Sequence, residues 1–374
     1  MQEDVYDEEK AEESIALAKR ADKVVVFAGL PDSFESEGYD RKHMHLPECQ
    51  NRLISEIRKV QPNTIVVLHN GAPVEMPWLR DVKGLLEAYL GGQGVGKAVV
   101  RLLYGEVNPS GKLAETMPLK LSDNPSYLNF GEGEKTNYNE GVFVGYRYYD
   151  TKEMDVAFPF GYGLSYTTFE YSNLVIDKTE CYDTDILTVS LDITNTGEAA
   201  GKEIVQLYVQ DLTKAVRRPE KELKGYEKVY LKAGETKTVS MTLDKRSFAW
   251  YNTSIHDWYA ASGTYNILIG ASSRDIRLSE KVHMTATMKL PLKLHMNSTL
   301  GELMADERSC GFGKEMKRKM DSIFQEEDKP ANDEAVKDEM ADAVVNSMPI
   351  RNVLTFGLIT KEELEEKLQE LNKK

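Results

Sequence analysis

The sequence predicts a multidomain protein in which a mostly parallel α/β region is followed by a β-sandwich and a helical C-terminal tail. Three observations carry that prediction. Helical stripes alternate with apolar runs up to about residue 165, an alternation of period two runs from about 168 to 290, and a helical segment rich in Glu, Asp, Lys and Met follows. The expected domains are 1–167, 168–290 and 291–374. The chain has 374 residues, about 2.5 times a typical domain, so more than one core is expected.

The first region reads as repeated helix and strand. Residues 8–20 form a helix with Ala11, Ile15 and Ala18 on one face, and Val24 to Gly29 is a continuous apolar run of the buried parallel kind. Leu53, Ile54, Ile57 and Val60 mark a second helix, which Gln61-Pro62-Asn63 ends before the strand Ile65 to Leu68. Leu85 to Leu90, a glycine-rich turn and a helix from Ala98 to Tyr104 complete the third repeat. Such alternation implies parallel pairing through right-handed crossovers.

In the second region Leu187, Val189, Leu191 and Ile193 alternate with polar residues, as do Val239, Met241 and Leu243, and Tyr265, Ile267 and Ile269. Turns at Asn195-Thr196-Gly197 and Lys232 to Glu235 separate these strands, which predicts an antiparallel sandwich of immunoglobulin or fibronectin type III kind. In the tail, Thr299 with Glu302 and Thr360 with Glu363 match the capping box, and Ile359 with Leu364 supplies a hydrophobic staple. Residues 325–340 carry mixed charge and few large apolar side chains, and read as a flexible connection.

Composition excludes some classes of partner. The net charge of −14 repels phosphate backbones and anionic headgroups, and no apolar run approaches the roughly 20 residues of a membrane span. Neither nucleic acid nor membrane is expected as a partner. Cys49, Cys181 and Cys310 are odd in number and widely spaced, so reduced thiols are expected rather than a disulfide framework or a zinc cluster. The acidic start, Met1 to Val5, lacks the pattern of a secretory signal, and a cytoplasmic setting is the expectation.

Chemistry is sought first in the loop after the first strand, because ligands of open α/β sheets meet the carboxyl ends of strands. That loop, Leu30 to Arg41, contains Glu35 and Glu37 beside Gly38; mutual repulsion between two carboxylates keeps one protonated, as a general acid requires. By spacing alone a solvated acidic loop is the commoner outcome. Gly91 to Lys97 matches a phosphate-binding loop except that Ala98 stands where the magnesium-binding Ser or Thr belongs, so a tight glycine turn is the better reading. His43 and His45, with Glu48 nearby, put two imidazoles on one side of an extended segment, but no further ligand is identifiable by spacing, and no metal is assigned. Tyr138, Phe143, Tyr146, Tyr148 and Tyr149 with Arg147 suggest a sugar platform, with packing the commoner role; packing is also expected of Trp250, Tyr251, Trp258 and Tyr259.

Taken in order, Glu35 to Arg41 (ESEGYDR), Ile65 to Trp78, Tyr104 to Met117, Tyr138 to Tyr149 and Phe158 to Tyr166 resemble the C-terminal half of glycoside hydrolase family 3 β-glucosidases. Gly201 to Leu231 resembles the fibronectin type III-like domain that follows in such enzymes, and Met348 to Gly357 resembles C-terminal extensions of some members. The resemblance implies retaining hydrolysis of β-glucosides or oligosaccharides without a cofactor, through two carboxyl groups about 5 Å apart. It assigns the general acid/base to Glu37, with Glu35 as the choice if the loop aligns two residues away, and gives Asp40 and Arg41 a supporting role through ion pairing.

The family's nucleophile is an aspartate on a TIM-like barrel, which no segment here resembles, and the helix at 8–20 aligns partway into the α/β sandwich domain. The α/β domain is therefore expected to be incomplete and the isolated chain to have negligible glucosidase activity, with a barrel domain or subunit as partner. Two alternatives remain: a noncatalytic carbohydrate-binding or assembly module that docks a barrel subunit, and a nucleotide-dependent enzyme resting on Gly91 to Lys97.

Overall fold

The structure, a computed structural model, describes residues 4–131, 133–324 and 334–373. The chain divides into two compact units, one running through Trp250 and including Trp258–Thr287, the other Tyr251–Asp257 with the chain from Met288 onward.

The first unit begins with α1 (Glu8–Ala18), whose N-terminus is capped by the Asp7 carboxylate and which buries Ala11 and Ala18. Strands β1 (Val24–Gly29), β2 (Thr64–His69) and β3 (Gly84–Glu87) form a parallel sheet in that order. Helix α2 (Glu48–Val60) makes the crossover from β1 to β2 and buries Ile54 and Ile57 of the expected stripe. Asp4 caps α2 by accepting from the amides of Glu48 and Cys49. Beneath the sheet Leu46, Ile54, Val66, Leu68, Val74 and Trp78 form one apolar core. Helix α3 (Val95–Leu103) follows β3.

One expectation fails here. The run Val24 to Gly29 reads as a strand buried on both faces, yet Phe27 is 58% exposed and Val25 36%. The reason is position: β1 is an edge strand, and only its Ala28 face is covered by the core.

After the short β4 (Met117–Pro118), α4 (Tyr146–Thr151) and β5 (Val156–Phe158) comes the sandwich. Its strands are β6 (Phe169–Ile176), β7 (Glu180–Tyr182), β8 (Leu187–Asn195), β9 (Gly201–Asp211), β10 (Glu222–Leu231) and β11 (Thr236–Leu243). The short α5 (Lys245–Phe248), β12 (Trp250–Asn252) and β13 (Asp257–Tyr259) precede β14 (Gly263–Gly270) and β15 (Ile276–Thr285). One sheet has the order β10-β9-β14-β15-β7 and the other β11-β8-β6. The alternation along β8 is realised residue by residue, with Leu187, Val189, Leu191 and Ile193 all buried in the core between the sheets. The larger sheet is mixed rather than wholly antiparallel, because β7 pairs parallel to β15.

The α/β region and the sandwich are joined by buried polar contacts. Lys112 pairs with Glu203 of β9 at 2.9 Å, Arg274 with Asp150 at 2.7 Å, and Gln206 donates to the Gly161 carbonyl at 3.0 Å. Tyr146 stacks on Phe160, and its hydroxyl accepts from the Leu223 amide of β10.

The second unit is helical: α6 (Leu300–Ala305), α7 (Glu307–Phe324), α8 (Glu334–Ser347), α9 (Asn352–Thr355) and α10 (Lys361–Asn372). Both capping boxes form, at Thr299 with Glu302 and at Thr360 with Glu363. The core joins Leu303, Met316, Met320, Val353, Leu364 and Leu368, with Ile359 packed against it as the staple requires. Of the flexible connection expected at 325–340, residues 325–333 lie outside the described residues; from Glu334 the chain is the helix α8. Among the described residues no helix is long and apolar enough to cross a membrane.

Candidate active-site loop and its carboxylate cluster

The loop after β1 sits where the three parallel strands end at their carboxyl edges, facing the turn after β2 and the end of β3. Its first turn is closed by the amides of Phe34 and Glu35, which both donate to the Pro31 carbonyl. Glu35 then reaches across to the β2 turn and accepts from the Gly71 amide at 2.6 Å. A Cβ at Gly71 would lie 3.1 Å from the Glu35 carboxylate, so any larger residue there would displace that carboxylate by a few tenths of an ångström. Arg41 closes the far end of the loop. Its Nη1 lies 3.6 Å from Glu35 and donates to the carbonyls of Ala72 and Pro73.

Between these anchors Ser36, Glu37, Gly38, Tyr39 and Asp40 are exposed, with Gly38 in the left-handed region and the Tyr39 hydroxyl donating to the Asp32 carbonyl. The two glutamates thus differ sharply in surroundings. Glu35 is partly buried and clamped; the Glu37 carboxylate is in solvent and makes no hydrogen bond or ion pair among the described residues. Arg41 makes its ion pair with Glu35, while Asp40 is exposed and makes none among the described residues.

Sequence reasoning overlooked a second acidic group at the same edge. Glu87, the last residue of β3, is pushed up to about 7 by burial, helped by the nearby Glu115 and Glu35 carboxylates and opposed by hydrogen bonds from the Tyr89 amide and Asn70. Burial also raises Glu115. Asn70 is fully buried and donates to the Ala72 carbonyl at 2.9 Å, which ties Glu87 to the turn that carries Glu35 and Arg41. Tyr89 follows in the left-handed conformation, at φ +46. The signal was present in Leu85-Leu86-Glu87, an acid closing an apolar parallel strand at its ligand-facing end.

Other candidate groups disperse. The His43 and His45 rings lie 5.2 Å apart, but His45 turns to Glu75 at 3.3 Å and Glu48 is exposed at the start of α2. No cluster of three metal-ligating side chains occurs among the described residues. At the glycine-rich turn, a Cβ on Gly91 would meet Val95 at 2.6 Å, so close packing onto α3 requires glycine. Of the aromatic segment, Tyr146 and Tyr149 pack inside, the Arg217 guanidinium covers Phe143, and Tyr138 is 78% exposed. Trp250 packs edge-on against Tyr259, and Arg246 covers Trp258.

Comparison with known proteins places this arrangement. Residues 1–166 match the glycosyl hydrolase family 3 C-terminal domain, and residues 203–273 match the fibronectin type III-like domain. The whole chain is 52% identical to thermostable beta-glucosidase B of Acetivibrio thermocellus, of which it spans 49%. It is 44% identical, over 79% of its length, to an exo-alpha-(1->6)-L-arabinopyranosidase of Bifidobacterium longum, of which it spans 39%. Among solved structures, a Bifidobacterium adolescentis GH3 beta-glucosidase superposes with a TM-score of 0.75 at 41% identity, over 83% of this chain and 45% of that one. The Kluyveromyces marxianus beta-glucosidase in complex with glucose gives 0.72 at 43% identity, over 75% of this chain and 34% of that one. The chain thus spans about half, or less, of the length of these relatives. By these matches the chain belongs to glycoside hydrolase family 3, of which it carries the C-terminal α/β domain and the fibronectin type III-like domain.

Proposed function

We propose that this chain supplies the acid/base loop of a retaining glycosidase acting on β-glucosides or related sugars, with the nucleophile coming from a TIM-like barrel domain or subunit. The general acid/base is Glu37, with Glu35 as the alternative. One observation carries the choice: Glu35 is clamped by the Gly71 amide and the Arg41 guanidinium, whereas Glu37 is exposed at the loop's apex. An acid/base must be free to reach the departing oxygen, and Glu35 is tied to the Gly71 amide and the Arg41 guanidinium while Glu37 is not. Glu35 and Arg41 then position the loop, with Asp40 a further support at its apex. We also infer a reducing, cytoplasmic setting from three widely spaced cysteines, of which Cys49 and Cys181 are buried, and we assign the domains to 1–167, 168–290 and 291–374.

Alone, the chain should not turn over an aryl β-glucoside, because a general acid by itself contributes only about 10²- to 10⁴-fold. Mixing it with a barrel-only chain should restore hydrolysis, and Glu37→Ala should lower the restored rate by about 10²-fold or more. Robust turnover by the isolated chain would refute the division of labour, and an equal loss confined to Glu35→Ala would move the acid to Glu35. The second reading, a noncatalytic module that docks a barrel subunit, is favoured by the exposed apolar side chains Phe27, Leu90 and Leu164. Its mark is sugar binding without restored hydrolysis.

A further inference from the structure

Glu87 has no part in the acid/base assignment, yet its side chain ends at the turn that anchors the loop carrying Glu35 and Glu37. It is the last residue of β3, partly buried, and both carboxylate oxygens are engaged. Oε1 accepts from the Tyr89 amide at 3.0 Å and Oε2 from Asn70 Nδ2 at 3.4 Å. Asn70 is fully buried, and the same Nδ2 donates to the Ala72 carbonyl at 2.9 Å. That carbonyl is shared: Arg41 Nη1 donates to it at 3.4 Å and to the Pro73 carbonyl at 3.2 Å, while it lies 3.6 Å from Glu35. Glu35 in turn accepts from the Gly71 amide.

A continuous polar chain therefore runs from the end of β3, through the turn after β2, to the loop after β1. Its links are Glu87, Asn70, the Ala72 carbonyl, Arg41 and Glu35. Such a network, shielded from water, passes a change of charge at one end to the other. Charges also act on Glu87 directly. Burial comes first in raising its proton affinity, and the carboxylates of Glu115, from the segment between α3 and β4, and of Glu35 add to it. Coupling of this kind is reciprocal: a negative Glu35 makes Glu87 harder to ionise, so an ionised Glu87 acts on Glu35 with the same free energy.

We propose that Glu87 is a positioning residue for the acid/base loop, setting the seat of Glu35 through Asn70, the Ala72 carbonyl and Arg41, and loosening that seat when it ionises. This rests on the reading of the loop as the acid/base loop; Glu87 acts through other groups and not on the reacting atoms. Neutral Glu87 leaves Glu35 with the Gly71 amide and Arg41. Ionised Glu87 sets a second negative charge against Glu35 and competes with the Ala72 carbonyl for Asn70. A displacement of about 1 Å at a reacting group costs about 10²-fold in rate, so a small tilt of the loop matters.

The test is NMR of the full chain, following the Gly71 amide and the Glu87 side-chain carboxyl from about pH 5 to about pH 9. The Gly71 amide reports the Glu35 hydrogen bond. It should move upfield in one step that shares its midpoint with the Glu87 carboxyl, near about 7, and the step should be lost in Glu87→Gln. Histidines ordinarily titrate in that range, and His43 packs against Phe34 of the loop while His69 precedes Asn70. The step should survive His43→Gln and His69→Gln. A Gly71 amide that stays put while Glu87 titrates, a different midpoint, a step that survives Glu87→Gln or one that vanishes with either histidine overturns the proposal. Should Glu87→Gln fail to fold, the shared midpoint in the wild-type chain still decides. Because the readout needs no turnover, the barrel-mixing experiment judges the acid/base reading separately.

Discussion

Glu87 ends β3 inside a cluster with Asn70, Tyr89 and Glu115, and burial lifts its carboxyl from the ordinary value of 4.5 to about 7. A raised folded value means that the fold holds this proton more tightly than the unfolded chain does. The resulting stability is complete below about pH 4.5 and is lost as pH rises through about 7, by at most roughly 3 kcal/mol. Urea unfolding at about pH 5 and about pH 8 should show wild type losing stability across that interval, with a smaller loss in Glu87→Gln. Glu115 shifts in the same direction and leaves a residual slope. At this scale the sequence was only half legible. It showed two glutamates two residues apart, but the partners that separate their roles, Gly71 and Arg41, are brought to Glu35 by the fold.

At the scale of elements, the joint between the α/β region and the sandwich depends on close approach. Gly161 sits at φ +78, and a Cβ there would lie 2.1 Å from the Gln206 amide oxygen. Gly161→Ala should cost roughly 1–3 kcal/mol and lower the melting temperature, whereas Gly105→Ala, at φ +72 in open space, should show the strain without the clash and cost less. In the helical unit Thr360 caps α10 by accepting from the Glu363 amide while Glu363 accepts from the Thr360 amide. Thr360→Ala should weaken α10 by about 1 kcal/mol, read as faster amide exchange in that helix and not in the sandwich. The two elements also divide in legibility. A capping box lies within four residues and is written in the sequence; the parallel pairing of β7 with β15 joins Cys181 to Met284, and no local pattern specifies it.

Across the whole molecule, apolar surface remains where a doubly covered sheet would have none. Phe27 and Val25 share the open face of an edge strand, at whose end the Gly29 N–H and C=O pair with the Gln50 side chain. The chain should self-associate in sedimentation experiments, and Phe27→Asp should reduce that association without lowering the melting temperature of the unit. By itself the sequence determined the order of the three regions, the strand and helix periods, the helix caps and the family, because those are carried by local patterns and by motifs in series. It also placed the loop with Glu35 and Glu37 at the end of β1. Only the tertiary structure decided which glutamate is clamped, that β1 is an edge and that Glu87 is partly buried among Asn70, Tyr89 and Glu115. The physical reason is distance along the chain: burial and charge at these sites come from separate segments, and only the packed fold makes them neighbours.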